Sequence, residues 1–295
     1  MIDLHIHTTC SDGTYSPVEL LKKAKTNNLD LISITDHDSI DAYKELDKIK
    51  ISDFYDGKII TGIEIKTAFE GIPIEILGYG IDINQFKNSI CVNKDIKIKN
   101  QLKYLENFKK VGKKLGLIFN NNITVEKIGE YAATTFYDAI IINSENKEIF
   151  PELKTCKREN FYRTTSGNKK SPFYINEEGD SININLVIEE IHKYGGKAFL
   201  AHLYQYKIDD HIKFLGQIIK NTKIDGVECY YSIFTDSQTK EILEITKKSN
   251  LYISGGSDYH GENKPSIKLG IGLGNLNVLS NDIDKWLMDK YLYKD

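Results

Sequence analysis

Apolar and polar residues follow two rhythms along the chain: short continuous apolar runs, and longer stretches with helical spacing. Ile2–Ile6, Leu31–Thr35, Lys58–Lys66 and Ile74–Tyr79 read as the first four strands. Gly71-Ile72-Pro73, set inside Ile65–Ile76, predicts a hairpin or a strand–turn–strand. Ser16 reads as the cap of a helix from Pro17 to Lys25, with proline in the first turn where its missing N–H costs nothing. Ile40–Lys50 reads as the next helix, and residues 92–116 have strong helical periodicity with no Gly or Pro before Gly112. The alternation then lapses. From about 117 to 180, Asn120-Asn121-Asn122, scattered charges and several aromatics show only weak periodicity. It resumes with helices at Ile184–Lys193 (capped by Asn183), Ile212–Asn221 and Asp236–Ser249, strands at Lys197–His202, Gly226–Tyr231 and Leu251–Ser254, and a closing helix at Asp282–Tyr291.

Repeated strand–helix units imply a parallel sheet, and their number suggests an α/β barrel. The expected organisation is a barrel built from residues 1–91 and 181–295, interrupted by a mainly helical insertion at 92–180. The length of 295 residues suits such a fold and can bury a large core without staples.

Composition narrows the class. The chain is 40% apolar and 27% charged, ordinary for a globular protein, and carries a net charge of -3. That balance gives no global reason for tight binding to nucleic acid or an anionic membrane. Cys10, Cys91, Cys156 and Cys229 are far apart and form no C-x-x-C pair. They argue against a thiolate zinc site or a disulfide framework and for reduced thiols in a cytoplasmic protein. Cys10 falls close enough to the candidate site that its oxidation would matter. The first strand leaves no room for a signal peptide, and runs such as Leu29–Ile34 fall far short of the roughly 20 residues that span a bilayer. No membrane and no obligate protein partner is expected.

Candidate chemistry gathers at strand ends, the edge where parallel barrels place their active sites. His5, His7, His37, Glu64, His202, Asp258 and His260 all fall there, and they include five of the seven histidines. His192 and His211 lie in or beside helices and read as structural. His5 and His7 are two apart on a strand and share a face, so both imidazoles can hold one ion. Asp12, in the Ser11-Asp12-Gly13 turn, can swing a carboxylate back over the strand end. In Asp36-His37-Asp38, His37 is the ligand candidate, Asp36 an outer carboxylate that could orient a ligand imidazole, and Asp38 a helix N-cap. Glu64 sits between apolar neighbours, where a lone buried carboxylate is expensive and a metal partner removes the cost. Mixed His and carboxylate donors suit manganese, iron or zinc.

The runs His5-Ile6-His7-Thr8-Thr9-Cys10-Ser11-Asp12-Gly13, Thr35-Asp36-His37-Asp38, Gly62-Ile63-Glu64, Ala201-His202 and Gly255-Gly256-Ser257-Asp258-Tyr259-His260 together resemble the PHP (polymerase and histidinol phosphatase) domain. The resemblance is strongest to stand-alone members that hydrolyse nucleoside 3′,5′-bisphosphates or trim short RNA from the 5′ end. It implies a distorted seven-stranded (β/α) barrel with up to three divalent ions. His5, His7, Glu64 and Asp258 would hold the first, Glu64, His202 and position 75 the second, and Asp12, His37 and His260 the third. It also implies hydrolysis by a metal-bridging hydroxide, from a water held by Glu64, His37 and His260.

Two positions depart from the family's pattern. Glu75 stands where members usually carry His. A carboxylate there still suits a hard ion such as manganese. In Tyr131–Phe136, Ala133-Thr134-Thr135 replaces the Arg-x-His pair that grips the substrate phosphate, so Arg163, Lys169 and Lys170 are the substitute cations expected.

The function expected first is a phosphatase acting on a small phosphorylated metabolite or nucleotide. The alternatives are a 5′–3′ exonuclease or phosphodiesterase on short RNA or DNA, and a non-catalytic metal-binding regulatory module. Tyr131, Phe136, Tyr137, Phe161, Tyr162, Phe173, Tyr230 and Tyr231 are the aromatics that could stack on bases in the nuclease.

Overall fold

The computed structural model describes residues 1–126, 130–176, 181–287 and 291–293. Strands β1 (Ile2–Ile6), β2 (Leu31–Ile34), β3 (Lys58–Phe69), β4 (Ile72–Tyr79), β5 (Lys197–Leu200), β6 (Gly226–Tyr231) and β7 (Tyr252–Gly256) form one sheet in sequence order. The sheet curls into a nearly closed barrel. The two edges meet where the Asp258 amide donates to the His5 carbonyl at 2.8 Å and the His7 amide to the Tyr259 carbonyl at 2.9 Å. The helices are α1 (Pro17–Thr26), α2 (Asp41–Leu46), α3 (Ile83–Phe86), α4 (Lys94–Leu115), α5 (Ala132–Ile141), α6 (Asn146–Ile149), α7 (Phe161–Thr164), α8 (Ile184–Lys193), α9 (His211–Asn221), α10 (Asp236–Lys248) and α11 (Ser280–Ile283).

Local sequence explains much of this. The Ser16 hydroxyl accepts from the Glu19 amide while Glu19 reaches back to the Ser16 amide, a reciprocal cap that fixes where α1 starts. Asn183 caps α8, and Thr235 with Gln238 caps α10 in the same reciprocal way. All five residues of α8 that face the sheet side are buried, Ile184, Val187, Ile188, Glu190 and Ile191, so the helix lies on the barrel wall.

The hairpin expected around Gly71-Ile72-Pro73 is present, and it makes one strand an exception to the parallel sheet. β1, β2 and β3 are parallel, as are β5, β6 and β7, but β4 runs antiparallel to both its neighbours. The cause is the tight Glu70-Gly71 turn, with both residues at positive φ, which replaces a crossover helix by a hairpin. β3 therefore runs well past β2, and Glu64 lies in mid-strand rather than at a strand end. The helix expected at Ile40–Lys50 is only α2. The closing helix is cut to α11, because Trp286 turns inward, stacks on Tyr79 and donates from Nε1 to the Ile253 carbonyl at 2.8 Å. Residues 288–290 of that expected helix, and 177–180 at the expected end of the insertion, lie outside the described residues.

Two hydrophobic cores are present. One fills the barrel and the space beneath its helices. The second lies within residues 104–175, where Phe108, Phe136, Phe161 and Phe173 are fully buried against one another. This smaller body sits beside the barrel mouth and supplies one wall of the site.

Candidate metal centre

β1 and the residue that follows it send His5 and His7 to the barrel mouth. The chain then turns at once. The Thr8 carbonyl accepts from the amides of Ser11 and Gly13, which brings Asp12 back over the strand. Gly13 is required there, since a Cβ would stand 2.5 Å from the His7 carbonyl oxygen. Asp38, His202 and Asp258 all have positive φ, a costly conformation for residues with side chains and one that gathers at functional sites.

The structure brings His5, His7, Asp12, His37, Glu64, Glu75, His202, Asp258 and His260 into one connected cluster. Three groups of donor atoms each lie within 4.8 Å of one another: His5, His7, Glu64 and Asp258; His37, Glu64 and Glu75; and His7, Asp12, His37 and His260. In the first group, His5 Nε2 and His7 Nε2 stand 3.1 and 3.2 Å from Glu64 Oε2. They stand 3.6 and 3.3 Å from Asp258 Oδ1. Those spacings match the edge, about 3.3 Å, of a tetrahedron of donors around an ion bound at about 2.0–2.1 Å. His202 lies outside these three groups but beside the second, with Nε2 2.9 Å from Glu64 Oε1 and 3.2 Å from Glu75 Oε2. In the third, Asp12 Oδ1 lies 3.1 Å from His260 Nε2 and 3.7 Å from His7 Nδ1, and Asp12 Oδ2 lies 3.8 Å from His37 Nε2.

The donor chemistry fits divalent ions. All of these residues are buried except Asp12, which is partly exposed. His37 Nδ1 is buried without a hydrogen-bond partner, although it faces Glu64 Oε2 at 3.2 Å. Burial alone would keep the carboxyls neutral, but the imidazoles around Glu64 and Asp12, and Lys264 with His260 and His5 around Asp258, hold all three well below the usual carboxylate range. Burial lowers His37 to about 4, which leaves its ring neutral and able to ligate. Burial acts the same way on His7, but the hydrogen bonds and charges of Asp258 and Glu64 outweigh it and raise that ring to about 9.

Two buried carboxylates that sequence reasoning missed support the cluster from behind. Glu228, on β6, accepts from the His202 amide at 2.8 Å through Oε2 and contacts His5 Nδ1 at 2.8 Å through Oε1. Asp3, on β1, accepts from the Ser257 amide and hydroxyl and from the Gly270 amide, tying β1 to the segment after β7. Burial raises its carboxyl to about 6. Val227-Glu228-Cys229 offered the same signal as Ile63-Glu64-Ile65, a carboxylate inside an apolar strand.

Three expectations are corrected. Asp36 touches no imidazole. It accepts from Thr8 N, Thr8 Oγ1 and Ser11 Oγ at 2.7, 2.6 and 2.5 Å, and so fixes the loop that carries Asp12. Lys169 and Lys170 are not at the site. Lys169 Nζ caps the Glu70 carbonyl on the β3–β4 turn at 3.2 Å, and Lys170 points to solvent near Asp209. The loop after α7 leads both away from the mouth. Asp38 is no N-cap: α2 is preceded by Ile40 without a side-chain cap, and Asp38 Oδ1 instead accepts from Lys97 Nζ at 2.8 Å and Lys66 N at 3.1 Å.

Of the expected cations only Arg163 reaches the site, with Nη2 at 3.6 Å from Glu75 Oε2. Above the cluster lies a cavity of about 640 Å³, walled on one side by Asp12, His37 and His260 and on the other by residues of the second body, among them Tyr131, Ala133, Thr134, Tyr162 and Arg163. Tyr231 lines it too, whereas Phe136, Phe161 and Phe173 belong to the smaller core. His192 and His211 are elsewhere, bonded to Asp225 and to the Tyr206 carbonyl. All four cysteines are free, and burial pushes the Cys10 thiol up to about 12, which makes it a poor nucleophile. Among the described residues no helix is long and apolar enough to cross a membrane.

A family model described as the PHP domain matches residues 3–254. A 5′-3′ exoribonuclease of Haemophilus influenzae is 28% identical over 88% of this chain and 89% of its own length. A phosphoribosyl 1,2-cyclic phosphate 1,2-diphosphodiesterase of Eggerthella lenta is 23% identical over 88% of this chain and 94% of its own. The crystal structure of a putative metal-dependent phosphoesterase from Bifidobacterium adolescentis shares the fold, with a TM-score of 0.69 at 22% identity over 96% of this chain and 94% of that one.

Proposed function

The chain belongs to the PHP domain family and is a metal-dependent phosphoesterase, and within that class we propose that it acts on a small phosphorylated nucleotide or metabolite, using two or three ions of manganese, iron or zinc. The observation that carries this reading is the position of Glu64. Its Oε2 faces His5, His7 and His37, and its Oε1 faces His202, so one carboxylate joins neighbouring groups of donors. His5, His7, Glu64 and Asp258 would hold one ion. Glu64, His202 and Glu75 would hold a second, and Asp12, His37 and His260 a third. Ions in such a site lower the pKa of bound water toward about 7 and neutralise phosphoryl oxygens.

The chain's own groups do the rest. The cavity falls within the range of roughly 300–1,000 Å³ typical of small-ligand sites, large enough for a nucleotide. Its lining carries Lys66, Lys157, Arg158, Arg163 and Lys264 beside the acidic Asp12, Glu75, Glu130 and Glu159, so cations are at hand for a phosphate ester. A non-catalytic module gains nothing from a donor set this complete.

The second reading, trimming of short RNA from the 5′ end, is favoured by Tyr131, Tyr162 and Tyr231 on the cavity wall, where bases could stack, and by the exoribonuclease relative. A panel of nucleoside bisphosphates, nucleoside monophosphates and 5′-phosphorylated oligoribonucleotides, assayed with each metal, separates the two. No phosphate or nucleotide release by the metal-loaded protein from any member would sink both.

A further inference from the structure

Two carboxylates of the donor cluster use their oxygens differently. Glu64 turns both to the histidines, Oε2 to His5, His7 and His37 and Oε1 to His202. Asp258 is divided. Its Oδ1 faces the cluster, at 3.6 Å from His5 Nε2, 3.3 Å from His7 Nε2 and 3.3 Å from His260 Nδ1. Its Oδ2 accepts two hydrogen bonds from residues outside the cluster, from the Tyr231 hydroxyl and from Lys264 Nζ, both at 2.6 Å.

Both donors are held in place. Tyr231 ends β6 and is buried, with its ring 5.0 Å from that of Phe234 and 5.5 Å from that of His202. The Lys264 side chain is mostly buried, and among the described residues Asp258 is the one carboxylate within ion-pair distance of it. The backbone of Asp258 is fixed as well, at a φ of +57° that is costly for a residue with a side chain, by the bond from its amide to the His5 carbonyl. An unhindered carboxylate can hold a cation through one oxygen or through both. Two donors on Oδ2, one of them charged, remove the second option.

We propose that Tyr231 and Lys264 are positioning residues that restrict Asp258 to a single oxygen toward the first ion. The restriction leaves a coordination position for water or a phosphoryl oxygen, which a chelating carboxylate would fill. The Lys264 charge also offsets that of Asp258, so the carboxylate neutralises less of the ion's own charge. Both residues line the cavity, so the side chains that hold this ligand also border the space where substrate enters. Their effect on affinity is opposite to that of a carboxylate behind a ligand histidine, because they compete with the cation for Asp258. The proposal rests on Asp258 as a ligand of the first ion.

The test uses cobalt(II), whose d–d absorption weakens as donors are added around it. Wild type, Tyr231→Phe, Lys264→Met and the double variant are loaded with cobalt, and affinity is measured by competition against a chelator, with circular dichroism as the check on folding. The double variant should absorb less per cobalt and hold its tightest ion roughly ten-fold more tightly, because Oδ2 is released and a neighbouring positive charge is gone. Each single variant should move the same way by a smaller amount. If the double variant does not fold, the single variants decide, since Tyr231→Phe keeps the ring in its aromatic cluster and Lys264→Met keeps the aliphatic stem. An unchanged spectrum, or weaker binding, overturns the proposal and leaves the two residues as structural supports only. If wild type takes up no cobalt, the metal-site reading fails and the proposal with it, a result distinct from variants that bind cobalt as wild type does.

Discussion

Glu228 Oε1 lies 2.8 Å from His5 Nδ1, with both side chains fully buried. The contact turns the other ring nitrogen, Nε2, toward Glu64 and Asp258. A carboxylate behind a ligand histidine fixes its tautomer and raises its basicity, and losing one typically costs ten- to a hundred-fold in metal affinity. Glu228→Gln is therefore expected to bind the first ion about ten- to a hundred-fold more weakly while remaining folded. Competition against a chelator of known affinity measures this, with circular dichroism as the check on folding. Unchanged affinity would show that His5 is oriented by the strand alone.

Chelation should destabilise the whole barrel. Glu64, Glu75 and Asp258 are buried carboxylates, and without cations they repel one another and share protons with His5 and His7. Ligands bound at a thousand times their Kd stabilise by about 4 kcal/mol. For a chain of this size, removing the ions is expected to lower Tm by roughly 5–15 °C. Metal analysis beside the melting curve should show two or three equivalents lost, and His37→Ala should retain one fewer than wild type. A melting temperature indifferent to chelator would contradict a resident metal.

On the outer end of β5, Asp225 accepts from the Ala198 amide at 2.8 Å and contacts His192 Nε2 at 2.6 Å. Burial opposes its ionisation, but His192, Ala198 and Lys197 win and hold its carboxyl below the usual value. A depressed folded pKa contributes stability that is present above the unfolded value of about 3.9 and is lost as pH falls through the folded one. Asp225→Asn is thus expected to cost about 1–2 kcal/mol at pH 7. Urea titrations at several pH values should show the gap between variant and wild type closing below pH about 4. A gap that persists in acid would mean that packing, not charge, is what the substitution removes.

Sequence patterning carried the barrel well where each strand feeds a helix, because capping residues such as Ser16, Asn183 and Thr235 mark the boundaries locally. The reversal at β4 was legible as well, since Gly71-Ile72-Pro73 marks the hairpin that joins it to β3. Ile74–Tyr79 has the same apolar run whichever way it pairs, and only the Glu70-Gly71 turn sets its direction. The His-rich part of the site was legible because histidines are few and recur at strand ends. Glu228 was missed although it carries the same signal as Glu64, a carboxylate inside an apolar strand. The cations were misjudged because periodicity does not say which way an irregular loop points. Lys169 and Lys170 follow Arg163 closely in sequence, yet of the three only Arg163 turns into the cavity.

Phe136 ties the second core to substrate binding. Its ring is fully buried between Phe108 at 5.5 Å, Phe119 at 5.1 Å and Phe173 at 5.5 Å. Phe136→Ala would leave a cavity worth about 3–5 kcal/mol. The barrel packs around its own separate core, so that loss should fall on the smaller body and leave the donor cluster assembled. Tyr131, Tyr162 and Arg163, however, reach the cavity from the smaller body. The expected outcome is unchanged metal content, faster proteolysis within residues 104–175, and a KM raised several-fold with a smaller change in kcat. Loss of bound metal in Phe136→Ala would show instead that the two cores fold as one cooperative unit.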